Sequence, residues 1–292
     1  MEDGMNIDIA MTHARKSLDG LSLGDAFGEL FFQYSPFETS WDDLPVSPWK
    51  WTDDTHMALS IVEILKTHHR IDQDELANEF ARRYSQEPYR GYAGGAHRLL
   101  SEVAAGANWR DISPRLFGNG SYGNGAAMRV APIGGFFCND LKRAANEAEL
   151  SAEVTHAHLE GKAGAIAVAV AAGIAANRPY PTGRDFLREV IPFIPDGITK
   201  SRTEAALEIP PDTFMDAVRK LGTGNEVSAQ DTVPFCLWNS AYHLDNYEEA
   251  LWSTVKGLGD VDTTCAIVGG IVALSAAEIP KMWLNRREAL KF

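Results

Sequence analysis

At 292 residues, 45% of them hydrophobic, the chain can bury a substantial core, and no segment is biased enough in composition to exclude folding. A formal charge of −13 and an isoelectric point near 5.1 exclude the broad basic footprint of a nucleic-acid binder. Three cysteines, Cys138, Cys236 and Cys265, form no CxxC pair, which points to a reducing compartment and away from zinc. Periodic apolar spacing predicts helices over 11–27, 55–68, 72–84, 94–105, 124–138, 140–156 and 159–177. It predicts further helices over 183–192, 202–207, 211–221, 231–243, 246–256 and 263–278. Alternating strand patterns are hard to find, and Pro, Gly and Asn fall between the helices, so an all-α fold is expected. The start MEDGMNIDIA lacks the basic and apolar stretches of a secretory signal, and the apolar run from Gly164 to Ala176 is too short for a membrane span. A cytoplasmic protein with neither membrane nor nucleic acid as partner is expected.

Two of these helices are rich in small residues. One carries Gly161, Ala163, Gly164, Ala165 and Ala167; the other carries Ala266, Gly269, Gly270 and Ala273. Small side chains allow close helix–helix approach, so this pair is expected at the packed centre.

Two acidic clusters stand at helix entries: Thr52, Asp53, Asp54 and Thr55, then Asp260, Asp262, Thr263 and Thr264. Thr and Asp are favoured helix caps, and acids suit a first turn, so each cluster reads as a helix start. A helix start needs one cap, however, and each cluster stacks two Asp between Thr residues. If the fold brings them together, their hard carboxylate and hydroxyl oxygens suit Mg²⁺, Mn²⁺ or Ca²⁺ rather than zinc or copper. A third feature, PRLFGNGSYGN over 114–124, includes Gly118, Gly120 and Gly123 and is followed by Gly125. Glycines let backbone N–H groups approach an anion, and Phe117 and Tyr122 offer faces for stacking on a flat ring; Gly and Asn are also ordinary loop formers.

With these residues laid out, the chain resembles the ADP-ribosylglycohydrolase family. The matching motifs run in order: GLSLGDAFGE at 20–29, WTDDT at 51–55, SYGNGAAMRVAPIG at 121–134, THAH at 155–158, DTVPF at 231–235 and GDVDTTCAIVGG at 259–270. The resemblance implies one all-α domain over 1–292, a compact orthogonal helical bundle. It also implies a hydrolase that cleaves ADP-ribose from a protein side chain or small acceptor. Thr52, Asp53, Asp54, Asp260, Asp262 and Thr263 would then hold two Mg²⁺ or Mn²⁺ ions. Phe117, Gly120, Ser121, Tyr122, Gly123, Asn124 and His156 would bind the ADP-ribose, Gly125 with Met128 and Arg129 would begin the helix behind them, and Asp25 would be structural, close to the metal region but not a ligand. Relatives place a glutamate four positions after the second Gly of GD-x-x-G, where this chain has Phe32. Glu29 is the carboxylate left in that segment, so Glu29, Asp54 and Asp262 are the candidates for proton transfer. Two competing functions are a two-metal phosphoesterase acting on a nucleotide diphosphate and a catalytically silent ADP-ribose-binding protein.

Overall fold

A computed structural model describes residues 6–46, 48–177 and 179–292; the first five residues of the MEDGMNIDIA start and Ser47 of the 31–50 loop lie outside it. Among the described residues there are fifteen α-helices and no β-strand. The first eight are α1 (Ile7–Leu30), α2 (Asp53–His68), α3 (Gln73–Gln86), α4 (Gly94–Ala104), α5 (Trp109–Ile112), α6 (Ala131–Phe136), α7 (Leu141–Glu153) and α8 (Leu159–Ala176). Then follow α9 (Arg184–Val190), α10 (Ile198–Ala206), α11 (Phe214–Leu221), α12 (Ala229–Tyr242), α13 (Tyr247–Val255), α14 (Val261–Ser275) and α15 (Lys281–Arg286).

The centre of the molecule is the antiparallel crossing of α1 on α14, and glycine spacing makes it close. Gly20, Gly24 and Gly28 recur every four residues along one stripe of α1. A Cβ at Gly20 would lie 2.4 Å from Gly269 O, one at Gly24 2.0 Å from Cys265 O, and one at Gly28 2.3 Å from Val261 O. No side chain fits there, so the backbones touch directly. Tyr247 Oη donates to Gly20 O at 2.6 Å and Ser17 Oγ donates to Gly270 O at 2.8 Å, locking the register. The crossing carries Asp25 of α1 to the N-terminus of α14, where the second acidic cluster begins.

α8, long and apolar enough to reach across a membrane by length and composition, is 83% buried within the fold. It packs among α6, α7, α12 and α14. At Gly134 of α6 a Cβ would lie 1.9 Å from Ala169 O, so α6 and α8 also meet backbone to backbone.

The helix expected over 124–138 does not form as one piece. A single 3-10 turn covers Asn124–Ala126, and α6 starts only at Ala131, with Pro132 in its first turn. Proline lacks an N–H and disfavours the helical conformation of the residue before it, so it suits a helix start and not a helix interior. Gly125, Met128 and Arg129 therefore precede α6 instead of opening it. Pro234 does sit inside α12, and the carbonyl of Gln230 it leaves without a helical donor accepts from Arg202 Nη1 at 2.8 Å. The short helices α5 and α15 were not expected, and α10 begins at Ile198, ahead of the expected 202.

The aromatic loop over 31–50 is pinned at its far end. Trp41 stacks on Trp283 of α15 at 5.0 Å, and Trp49 N donates to Arg286 O at 2.7 Å. The loop thus delivers the chain to Thr52 from a fixed direction.

Candidate functional site

Thr52 caps α2 and Asp260 caps α14, so both acidic clusters occupy first turns. What aims them at one another is Asp25. Its Oδ2 accepts from Thr52 N at 2.9 Å, from Thr55 N at 3.0 Å and from Thr55 Oγ1 at 2.5 Å. Its Oδ1 accepts from Thr52 Oγ1 at 2.9 Å. A buried carboxylate of α1 thereby satisfies orphan N–H groups at the start of α2, a cap supplied from another helix. Carboxylate oxygens of Asp25, Asp54 and Asp262 lie within 4.8 Å of one another.

This convergence is electrostatically unfavourable without a counter-charge. Burial, then the Asp25 carboxylate, pushes the Asp53 acid up to about 8. Burial followed by Asp262 and Asp25 holds the Asp54 acid well above the usual carboxylate range, and burial followed by Asp260 does the same to Asp262. Asp54 Oδ2 lies 3.1 Å from Thr52 Oγ1, whereas its buried Oδ1 has no hydrogen-bond partner. A buried carboxylate oxygen facing other carboxylates and bonded to nothing is the environment a hard cation completes. The donor set of carboxylates and Thr hydroxyls, with neither Cys nor paired His, fits a divalent ion of that kind.

Beside the cluster lies a cavity of about 500 Å³, within the range of small-molecule sites. Asp53, Asp54, Asp260, Asp262 and Thr263 line it together with Phe117, Ser121, Tyr122, Gly123, Asn124 and His156, and with Gly91, Gly94, Gly95 and Met128. The fold thus gathers segments that are far apart in sequence. Three expected residues stand outside the lining. Thr52 turns its hydroxyl to Asp25 and Asp54, and Gly120 (φ +86°) supports the loop from behind, where a Cβ would meet His158 N at 2.6 Å. Glu29 lies half-buried near the end of α1, where burial raises its acid. Phe32, at the position of the family glutamate, is 56% exposed.

The glycine-rich loop is tied to both neighbours. Ser121 Oγ accepts from Gly123 N at 3.2 Å, and Asn124 Nδ2 donates to Asp260 Oδ2 at 2.7 Å. The loop and the second acidic cluster are thus in direct contact. Phe117 and Tyr122 remain 73% and 48% exposed at the wall, leaving aromatic face free for a planar group.

Arg129, which the sequence places only behind the loop, supports His156 from beneath the cavity. Its guanidinium is fully buried, with Nη1 donating to Gly125 O at 3.2 Å and Nη2 donating to Ser151 O and Thr155 Oγ1, each at 2.9 Å. The Phe80 ring lies 4.6 Å from its carbon, and burial lowers its pKa to about 9. Thr155 Oγ1 in turn sits 2.7 Å from His156 Nδ1. Arginine can only donate, so we assign Thr155 as accepting from it and passing its own proton to Nδ1. Burial, reinforced by Arg129, lowers the His156 pKa to about 3, so the ring is neutral and carries its hydrogen on Nε2. Nε2 faces the loop: a Cβ at Gly125 would lie 3.1 Å from it and one at Gly123 3.3 Å. His156 is built as a fixed hydrogen-bond donor, not as a proton carrier near neutral pH.

Behind the first cluster, Arg90 braces the approach to Thr52. It lies 3.6 Å from the centre of the Trp51 ring, donates to Trp51 O at 3.2 Å, and pairs with Glu288 at 2.9 and 3.1 Å. Gly91 follows with φ of +97°, and a Cβ there would lie 3.2 Å from Asp53 Oδ1. Only a bare backbone passes this close to the carboxylate.

A family model described as ADP-ribosylglycohydrolase matches residues 7–291. An uncharacterized protein of Archaeoglobus fulgidus is 31% identical over 286 residues, covering 93% of this chain and 90% of that one. ADP-ribosylhydrolase ARH3 of Gallus gallus is 28% identical, covering 82% of this chain and 74% of its own, and that of Homo sapiens is 27% identical, covering 80% and 73%. A solved structure described as an ADP-ribosylglycohydrolase-related protein complex shares the fold, with a TM-score of 0.68 at 22% identity over 96% of this chain and 94% of that one.

Proposed function

The chain belongs to the ADP-ribosylglycohydrolase family, and from that premise we propose that it is a metal-dependent hydrolase. The bond cleaved is the glycosidic bond between ADP-ribose and a protein side chain or small acceptor, and free ADP-ribose is released. One observation carries the reading: a single cavity is lined both by four Asp carboxylates and by a glycine-rich, aromatic-flanked loop. That layout suits a ligand with a sugar at one end, an anionic middle and a flat ring at the far end. Phe117 and Tyr122 would stack on the ring. The backbone at Ser121 to Gly125 and the Nε2–H of His156 would hold the diphosphate. The neutral His156 adds a donor there without a titrating charge.

At the acidic end, Asp53, Asp54, Asp260, Asp262 and Thr263 would hold two Mg²⁺ or Mn²⁺ ions, with Thr52 kept in place by Asp25 and Asp54. Bound ions would neutralise the carboxylates, orient the ribose hydroxyls and make a water more acidic. Departure of the acceptor from the anomeric carbon proceeds through an oxocarbenium-like state, which nearby carboxylates stabilise. Asp54 or Asp262, whose carboxylates converge with that of Asp25, would take the proton from the attacking water, and the departing acceptor would leave with a proton in exchange. The diphosphate does not react; its contacts fix the anomeric carbon against the acidic end and turn remote binding into rate.

The test is release of ADP-ribose from arginine-, serine- and acetyl-linked forms with Mg²⁺ or Mn²⁺, with chelator as control. Metal-dependent release from at least one linkage supports the reading. Release of AMP instead would make the chain a phosphoesterase, and tight binding without release would make it a silent ADP-ribose binder.

A further inference from the structure

The DTVPF segment plays no part in the reading above, yet it is bonded to both the glycine-rich loop and the turn that packs on Asp260. The turn between α11 and α12, residues 222–228, has two faces. On one, Thr223 O accepts from Asp260 N at 3.0 Å, and Gly224 (φ +90°) packs so closely that a Cβ would lie 2.5 Å from Asp260 Cβ. On the other, Val227 O accepts from Asn124 N at 3.3 Å and Ala229 N donates to Tyr122 O at 2.9 Å. Val227 lines the cavity with φ of 50°, a left-handed conformation that a β-branched residue holds only under constraint.

Asp231 supplies the constraint. Its Oδ2 accepts from Glu226 N at 2.9 Å and its carbonyl accepts from Gly224 N at 2.8 Å. Gly222 makes room for the carboxylate, since a Cβ there would lie 2.1 Å from Asp231 Oδ1. Thr232, fully buried, donates from Oγ1 to Ser228 O at 2.8 Å and accepts from Asn124 Nδ2 at 3.1 Å. The same Nδ2 donates to Asp260 Oδ2 at 2.7 Å. An amide has two N–H donors, and both are committed, one to Thr232 and one to Asp260. The Asn124 side chain therefore has one orientation, and one oxygen of Asp260 is tied in place.

We infer that Asp231 and Thr232 are positioning residues for Asp260: through the 222–228 turn and Asn124 they set the direction in which this carboxylate meets a divalent cation. The inference rests on the cation reading of the acidic cluster. Partners that orient a ligand carboxylate commonly change metal affinity by ten- to a hundredfold when removed.

Mn²⁺ binding to the full-length protein, followed by calorimetry and by electron paramagnetic resonance, tests it. Thr232→Val, which keeps the shape and removes the hydroxyl, is expected to weaken Mn²⁺ binding by about tenfold, and Thr232→Ser to restore it. Circular dichroism and melting in chelator should match the unaltered protein, which separates positioning from unfolding. Asp231→Asn is the second variant should Thr232→Val fail to fold, and is expected to shift Mn²⁺ affinity in the same direction. Equal Mn²⁺ affinity in folded Thr232→Val, or in Asp231→Asn where the valine variant does not fold, overturns the inference alone. No Mn²⁺ binding by the unaltered protein overturns the cation reading and this inference with it.

Discussion

Replacing Asp53 by Asn in metal-free protein is expected to stabilise the fold at pH 8. Asp53 is the first residue of α2, and burial followed by the Asp25 carboxylate raises its acid from 3.8 to about 8. The folded chain keeps this proton over a pH range in which the unfolded chain has released it. The associated stability is therefore full below pH 3.8 and lost as pH rises through about 8. The difference corresponds to roughly 6 kcal/mol at the limit. Water penetration and proton sharing with Asp25, Asp54 and Asp262 reduce it to about 2–4 kcal/mol. Asparagine removes the charge and keeps the size, at the loss of about 0.5 kcal/mol of helix-dipole interaction. At roughly 2 °C per kcal/mol for a chain this long, melting in chelator at pH 8 should rise by about 3–7 °C. At pH 5.5 the gain should be less than half as large, because folded Asp53 keeps its proton there and the pH is only about 1.7 units above the unfolded value of 3.8. Saturating Mn²⁺ should reverse the order, since the unaltered protein binds the ion more tightly and gains more from it. Differential scanning fluorimetry across pH decides the matter. An Asp53→Asn variant that melts no higher than the unaltered protein at pH 8 in chelator would refute the electrostatic account of the cluster.

Asp262→Asn should cut turnover by at least about 10³-fold while circular dichroism stays unchanged, because a cation site loses one of its converging carboxylates. Gly120→Ala forces a φ of +86° on alanine and drives its Cβ to 2.6 Å from His158 N. A melting loss of a few degrees, from strain of about 1–2 kcal/mol, should accompany ADP-ribose affinity reduced more than about tenfold with Mn²⁺ affinity retained. Glu29→Gln should leave turnover within about threefold, since this side chain stands outside the cavity lining; a loss near 10²-fold would make Glu29 the proton carrier instead.

The fold class and the two acidic clusters were legible because each is written locally. Apolar residues at helical spacing report a helix wherever it packs, and TDDT or GDVDT is contiguous. Asp25 was expected close to the metal region, but how it joins the first cluster was not legible. Asp25 reaches Thr52 and Thr55 across 27 and 30 positions, through a crossing that only the Gly20–Gly24–Gly28 stripe foreshadows. Arg129 was placed behind the loop, but its link to His156 was not legible, since a buried guanidinium on backbone carbonyls and a threonine looks in sequence like any surface charge. The helix expected over 124–138 failed because its apolar spacing is genuine, yet Pro132 outweighs it. Short helices such as α5 and α15 span too few residues for a period to show. Glu29 illustrates the opposite limit. Its neighbourhood in GDAFGE placed it near the acidic cluster, yet it stands half-buried near the end of α1 and outside the cavity lining.

The central claim, hydrolysis at the anomeric carbon of ADP-ribose, is tested most directly by the mass of the nucleotide product. A single-turnover reaction of the Mn²⁺-loaded protein with an arginine- or serine-linked ADP-ribose peptide, read by mass spectrometry, should yield intact ADP-ribose and unmodified peptide in equal amounts. AMP with a phosphoribosyl peptide would place the cleavage at the diphosphate and contradict the account.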